Sequence, residues 1–529
     1  MDWTSGYRDL RDGGAVLHEM VAERAAEARD RPALIDGPTG EVVTYGTLAS
    51  RAECVAAGLA ERGFGAGDVL ALWAPNGPPW AGLALGATAA GGTVTGINPA
   101  HTERELKAQL TDSGASVVVT VPPLVSAVLS AAPATGVREV IVLGPAEGEA
   151  EGATSVLDLI GSDGTVPDMA ADPDGVALLP YSSGTTGLPK GVMLTHSNLV
   201  ASVRQVGSGL RMTERDTTLA VAPFFHIMGF VVSLAVPLAS GATVVTMPRF
   251  DLAQFFELIE RHRVTALAVP PPVMAALARH PLADEHDLSS LELIVSGGAP
   301  LGADLQREVA ARFPRAAVGQ AWGMTETTVG ATMPDRELGT APGSVGRVMP
   351  ATELHVVEPD TGRDLGENER GELWVKGPQV MKGYLNQPDA TAEVMEDGWL
   401  KTGDLGYVDD GGNVFIVDRI KDLIKVSAYQ VAPAELEALL VTHPAVADAA
   451  VIGRPDEERG EVPVAIVASR GEVEGDELMD RVAERVAPHK RIRAVRFVDA
   501  IPRTPSGKLL RRVLAEQERR AAGPAPGRG

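Results

Sequence analysis

Residues 181–191 read Tyr181-Ser182-Ser183-Gly184-Thr185-Thr186-Gly187-Leu188-Pro189-Lys190-Gly191. Gly184 and Gly187 let the backbone turn tightly and aim N–H groups at anionic oxygens, the hydroxyls of Ser182, Ser183, Thr185 and Thr186 add donors, and Lys190 supplies charge. That is the chemistry of a phosphate cradle. It is not a Walker loop, because the glycine spacing to a Gly-Lys-Ser/Thr ending is missing. The plainer explanation is a surface connection between a strand and a helix, and the density of hydroxyls, glycines and a lysine outweighs it.

Four other segments follow in order: Gly319-Gln320-Ala321-Trp322-Gly323-Met324-Thr325-Glu326, Thr402-Gly403-Asp404, Asp418-Arg419-Ile420-Lys421, and Pro502-Arg503-Thr504-Pro505-Ser506-Gly507-Lys508. Together with the glycine-rich stretch they resemble, over roughly residues 30–515, the adenylate-forming superfamily of acyl- and aryl-CoA synthetases, peptide-synthetase adenylation domains and luciferases. Within it the likeness is to 4-coumarate-CoA ligases and their bacterial relatives. The resemblance implies an ATP site made by Ser182, Ser183, Gly184, Thr185, Thr186, Gly187, Gln320, Ala321, Trp322, Thr325, Asp404, Arg419, Lys425 and Gln430. It implies Mg2+ at Glu326, a hinge at Lys421, catalytic roles for Lys508, His226 and Lys190, and coenzyme A as cosubstrate.

Physical reasons stand beside these matches. Glu326 offers a hard oxygen to magnesium and Thr325 a hydroxyl to a phosphate. Trp322 can stack on adenine, where most relatives carry Tyr, and Asp404 can accept both ribose hydroxyls. Lys508, after a glycine, is a mobile cation suited to charge developing at the α-phosphate. Taken singly, each has a blander explanation: a helix start, a core tryptophan, a turn, a solvated lysine. The ordered ensemble lifts them above it.

Pro223-Phe224-Phe225-His226-Ile227 resembles the segment whose histidine lines the aryl-acid pocket, and Ser296-Gly297-Gly298-Ala299-Pro300 resembles its opposite wall. The pocket is therefore assigned to Phe225, His226, Gly297, Gly298 and Ala321, with the two glycines leaving room for a ring. The alternative for His226 is a satisfied buried histidine.

One departure follows the hinge. Coumarate ligases read Lys-Tyr-Lys-Gly-Phe-Gln where this chain reads Lys425-Val426-Ser427-Ala428-Tyr429-Gln430. In the family this loop lines the pantetheine tunnel, and a glycine there permits positive φ or close approach that the Cβ of Ala428 opposes; neutral drift explains the change equally well. Two activities follow from the resemblance: an aromatic (cinnamate- or benzoate-like) acid-CoA ligase passing through an acyl-AMP, and an ATP-dependent diazotase that activates nitrite and couples it to an aromatic amine. A nucleotide-binding module without catalysis is disfavoured by the retained Lys508, Lys190 and Glu326.

Such residues need rigid elements to hold them. Short apolar runs at 69–72, 116–121, 140–143 and 242–245 alternate with amphipathic stretches at 79–89 and 252–262, the pattern of parallel sheets covered by helices. Residues 144–175 read as a surface connection. Past residue 414 a strand, a charged turn over 418–423 and a proline-opened helix at 433–440 begin a smaller unit. The expected fold is α/β: a large multi-subdomain N-terminal body (1–417), a small mobile α+β C-terminal domain (418–515) and a tail (516–529), with the site in the cleft between the two bodies.

Composition narrows the partners. The chain has 529 residues and a formal net charge of −23, which opposes nonspecific binding to nucleic acid or anionic membranes. The 58 Gly and 38 Pro lie along the chain without a period, so they read as turns. A single cysteine, Cys54, and no basic-then-apolar leader lead us to expect a cytoplasmic protein. Residues 217–248 carry no Asp, Glu, Lys or Arg, yet Pro223, His226, Pro237 and Gly241 interrupt them, so a buried sheet with its helix is expected rather than a membrane span. Residues 489–520 hold ten Lys and Arg against three Asp and Glu, suggesting a basic lid over an anionic nucleotide.

Overall fold

The computed structural model describes residues 3–4, 16–146, 150–161, 172–182, 189–336, 340–427, 429–456, 459–504 and 507–521. Among these residues the strands form three large sheets, a two-stranded ribbon of Thr332–Met333 with Arg347–Val348, and a smaller C-terminal sheet. The seven-stranded sheet is parallel except at one edge, where Pro32–Asp36 pairs antiparallel with Val42–Thr44. Its other strands are Thr243–Thr246, Thr217–Ala220, Ala266–Val269, Leu293–Ser296 and Ala317–Gln320. The nine-stranded sheet includes Val69–Trp73, Ala115–Thr120 and Glu139–Val142 in parallel register, and Lys190–Thr195 joins it antiparallel to Val176–Leu178.

Burial explains these elements. All five residues of Val69–Trp73 are buried, as continuous apolar runs in a sheet covered on both faces must be. The helix Leu252–His262 starts where the Asp251 side chain accepts from Gln254 N, and turns Phe255, Phe256, Leu258 and Ile259 inward. Arg263, left-handed at φ 50°, ends it.

The uncharged run at 217–248 is the strand Thr217–Ala220, a π-helical turn Gly229–Ala235, the helix Val236–Ala239 and the strand Thr243–Thr246. No helix among the described residues is long and apolar enough to cross a membrane. Within the connection at 144–175, residues 150–161 are described and fold into the body. They contain the helix Val156–Ile160, whose Leu159 is fully buried. Gly58, on the helix Tyr45–Glu61, admits that turn, since a Cβ there would strike the Leu159 carbonyl.

A six-stranded antiparallel sheet carries Gly371–Lys376, Trp399–Val408 and Val414–Arg419. The 3-10 turn Ile420–Asp422 then leads into a separate five-stranded sheet built from Ile424–Val426, Tyr429–Val431, Val446–Asp456, Gly460–Ser469 and Ala494–Val498. The helices Pro433–Leu440, Gly475–Ala483 and Arg511–Ala521 pack with it. This α+β unit has its own core around Val431, Leu436, Val451, Ala465 and Leu478.

Candidate active site

The strands of the seven-stranded sheet end at Ala220, Val269, Ser296 and Gln320, and from those carboxyl ends start the segments that line a cleft of about 2800 Å³. Ligand sites of open α/β sheets lie at such ends. Of the expected residues, Ser182, Lys190, Phe225, His226, Gly297, Gly298, Gln320, Ala321, Trp322, Thr325, Glu326, Asp404, Arg419, Lys421, Lys425, Gln430 and Lys508 all line it. Ser183, Gly184, Thr185, Thr186 and Gly187 of the phosphate cradle lie outside the described residues, as does Ala428.

Lys508 reaches the cleft from the C-terminal unit. Arg503 is clamped on Asp448 through Nε (3.0 Å) and a terminal nitrogen (2.8 Å), and its other terminal nitrogen donates to Gly507 O at 2.8 Å. Thr504 N donates to Lys508 O, while Lys508 N donates to Thr504 Oγ1. Gly507 stands at φ +87°, and a Cβ there would lie 3.1 Å from Cβ of Pro270, just past the strand Ala266–Val269. The lysine loop therefore sits directly on the large body. Burial, then the Arg419 charge, pulls the Lys508 ammonium below its ordinary range against the opposing pull of Asp404, Asp422 and Glu326.

On the large body, Asp404 in the strand Trp399–Val408 is 3% exposed. Its Oδ2 accepts from Trp322 Nε1 at 2.8 Å and its Oδ1 lies 2.9 Å from Arg419 Nε. The indole expected as a free stacking face is thus fixed by its N–H to this carboxylate. Glu326 begins the buried turn after Thr325, and its Oε1 accepts from the Tyr384 hydroxyl at 2.8 Å. Burial and this contact raise the Tyr384 hydroxyl far above its ordinary value, so it stays a donor. The Lys190 ammonium lies over the Tyr384 ring, 4.8 Å from its centroid. The amide oxygen of Gln320 accepts from Leu301 N at 2.6 Å, which ties down the segment after Gly297-Gly298.

Burial, and secondarily the Lys508 charge, push His226 down to about 4. The imidazole is therefore neutral near pH 7. Its Nδ1 accepts a long hydrogen bond from Met228 N (3.4 Å), which leaves the proton on Nε2. Gly298 is left-handed at φ +81°, a backbone reason for glycine rather than one of room. A Cβ on Gly297 would lie 3.4 Å from Met228 Sδ, in ordinary contact.

Of the ten cations read as a basic lid, five are paired within the C-terminal unit. Lys490 pairs with Glu435, Arg496 with Glu518, Arg503 with Asp448, Arg511 with Glu437 and Arg512 with Glu516. Arg511 also lies 3.6 Å from Asp422, and Lys508 faces Asp404, Asp422 and Glu326. Tyr384, Pro270 and Asp422 were not singled out from sequence. An isolated tyrosine after a glycine carries no spacing signal, and a proline against a distant loop is a purely tertiary contact.

The AMP-binding enzyme family model matches residues 21–385, and the AMP-binding enzyme C-terminal domain model matches residues 435–508. The chain is 44% identical over 512 residues to 4-coumarate–CoA ligase 5 of Oryza sativa subsp. japonica, covering 94% of each. It is 42% identical to 4-coumarate–CoA ligase 1 of Solanum tuberosum, covering 96% of this chain and 94% of the relative. Among solved structures, ATP-bound MatB from Rhodopseudomonas palustris superposes with a TM-score of 0.87 at 30% identity, covering 95% of this chain and 99% of that one. The anthranilate CoA ligase AuaEII in complex with anthranoyl-AMP superposes with a TM-score of 0.88 at 26% identity, covering 96% and 98%. A large α/β body ending in a lysine-bearing α+β unit, matched in both parts by these models, makes the chain a member of the AMP-binding enzyme family and an ATP-dependent, AMP-forming ligase.

Proposed function

We propose that the protein activates an aromatic carboxylic acid, cinnamate- or benzoate-like, as its acyl adenylate and transfers the acyl group to coenzyme A. The observation that carries this reading is Lys508, on a loop whose Gly507 lies against Pro270, facing Asp404 and Glu326 in one cleft with His226. The substrate carboxylate oxygen attacks the α-phosphorus of ATP, the bond to the bridging oxygen breaks, and pyrophosphate leaves. Little covalent work falls to side chains, so positioning and charge dominate. Lys508 and Lys190 neutralise charge on the α-phosphate and the departing pyrophosphate. Trp322, Asp404, Arg419, Lys425 and Gln430 hold the nucleoside end, and neutral His226 offers its Nε2–H to the acyl oxygen. In the second step a thiol attacks the acyl carbon and AMP departs with the electron pair of the broken bond.

Mg2+ fits Glu326. Among the described residues no three His, Cys, Asp or Glu cluster as a metal cage, and Mg2+ in nucleotide sites takes one or two carboxylates, phosphate oxygens and water. When bound, the ion supplies charge neutralisation to the triphosphate. We assign residues through the strand Val414–Arg419 to the adenylating body and those from Ile420 through the helix Arg511–Ala521 to a lid, which moves the boundary read from sequence at 417/418 and takes 516–521 out of the tail; Lys421 lies on the turn about which the lid swings between the two steps.

The test is incubation with ATP, Mg2+ and a panel of cinnamates and aminobenzoates, adding CoA in one arm and nitrite in another. Acyl-CoA accumulating in the first arm supports the ligase. A diazonium formed only with nitrite, and no thioester, overturns it. Lys508→Ala is expected to slow pyrophosphate release by a factor of hundreds, as removal of one preorganised charge does; an unchanged rate removes the lysine from the mechanism.

A further inference from the structure

Next to His226 one arm of the cleft is walled by apolar side chains. Met228 lies beside Gly297, and it lines the cleft together with Val232, on the π-helical turn Gly229–Ala235, and Leu210, Val329, Met333 and Met349. Small residues admit the sulfurs: a Cβ on Gly330 would come within 2.6 Å of Met349 Sδ, and one on Gly209 would collide with Met333 Sδ.

Most polar groups beside these walls are engaged elsewhere; Ser296 Oγ, next to Gly297 in the lining, and Gln205 Oε1, which does not line the cleft, are buried without a hydrogen bond among the described residues. Thr332 Oγ1, which also lines the cleft, donates to Val345 O at 2.7 Å. Ser202 Oγ donates to Thr328 O at 2.6 Å. The Gln205 amide nitrogen turns to Pro350 O, Thr352 Oγ1 and Gln379 Oε1. Ser233 Oγ, buried without a hydrogen bond among the described residues, is not a lining group. A hydroxyl set among Val232, Leu210, Val329 and the methionines gives up its water and finds thioethers and methyls in exchange.

We propose that the acid activated here ends in hydrocarbon at the end remote from its carboxylate, and that the arm selects against an acid bearing a hydroxyl there. This rests on the acid-activating function argued above. Three methionines in the wall adjust their shape, so the selection is by polarity more than by outline, and a methyl-substituted ring is accepted.

The experiment compares 4-methylcinnamate with 4-hydroxycinnamate, a pair of nearly equal size, with cinnamate and octanoate alongside, by kcat/KM for pyrophosphate release from the full-length protein with Mg-ATP. The expected result is a preference for the methyl over the hydroxyl compound of about tenfold or more, the penalty of an unpartnered buried hydroxyl. Equal or better use of 4-hydroxycinnamate overturns the inference while leaving acid activation standing. Release with none of these acids overturns the activation reading and this inference with it. Val232→Thr, equal in volume and bearing a hydroxyl, is expected to raise the 4-hydroxy to 4-methyl ratio severalfold. Because the readout is a ratio within one variant, a general loss of activity does not imitate it, and an unchanged ratio overturns the placement of the substrate's far end at Val232.

Discussion

Tyr384 touches two charges at once. Its hydroxyl donates to Glu326 and its ring lies beneath Lys190, so one side chain sets the spacing between the carboxylate assigned to Mg2+ and the lysine assigned to phosphate. Removing only the hydroxyl separates the roles. Tyr384→Phe keeps the ring under Lys190 and takes away a hydrogen bond to a buried carboxylate, a bond worth about 1.5–3 kcal/mol when one partner is charged. The Mg2+ concentration for half-maximal pyrophosphate release is expected to rise roughly tenfold or more, with a smaller change in KM for ATP. Tyr384→Leu also removes the cation–π contact and is expected to raise that KM as well. A phenylalanine variant with the wild-type magnesium curve would show that the hydroxyl does not position Glu326. At this scale the sequence was legible for residues whose chemistry is unusual for their position, such as Lys508 and Glu326. It was silent on Tyr384, whose importance comes from two neighbours 194 and 58 residues away.

The element with most at stake is the crossing between the two units. Asp418 lies near the end of the strand Val414–Arg419; its Oδ1 accepts from Arg419 N, and its Oδ2 accepts from Ala434 N in the first turn of the helix Pro433–Leu440. Burial outweighs these bonds and the nearby Arg511, with Glu437 adding to the rise, and lifts the carboxyl to about 6. The folded chain thus holds this proton more tightly than the unfolded one, whose aspartate titrates near 4. Its contribution to stability therefore grows as pH falls from about 6 to 4, by roughly 3 kcal/mol at most, and is lost as pH rises through 6. Asp418→Asn has no such term. The difference in unfolding free energy between wild type and Asp418→Asn is expected to move in favour of wild type on going from pH 7 to pH 4.5. A flat difference would give Asp418 an ordinary titration. Periodicity and caps made Leu252–His262 and Pro433–Leu440 readable in advance, since local rules suffice for them. The π-helical turn at Gly229–Ala235 was not readable, because a continuous apolar run has no period to reveal the extra residue per turn.

Across the whole molecule, the charge of −23 coexists with a lysine delivered to the carboxylates of the cleft, and the loop that delivers it meets the large body at Pro270. Gly507 both adopts φ +87° and lies against Pro270. Gly507→Ala makes these separable. The left-handed strain, about 1–2 kcal/mol, accompanies the loop wherever the C-terminal unit goes. The clash with Pro270 exists only while Lys508 is in the cleft. If the unit turns about the Ile420–Asp422 segment for acyl transfer, the two half-reactions respond unequally. ATP-pyrophosphate exchange by Gly507→Ala is expected to slow by about tenfold or more, since a displacement of a few tenths of an ångström moves a charge that must be preorganised. Transfer to CoA from a preformed acyl adenylate, which needs no lysine at the α-phosphate, is expected to fall severalfold less. Equal slowing of both would mean that one arrangement of the two units serves both steps, and the turn at Lys421 would then be a connection rather than a hinge.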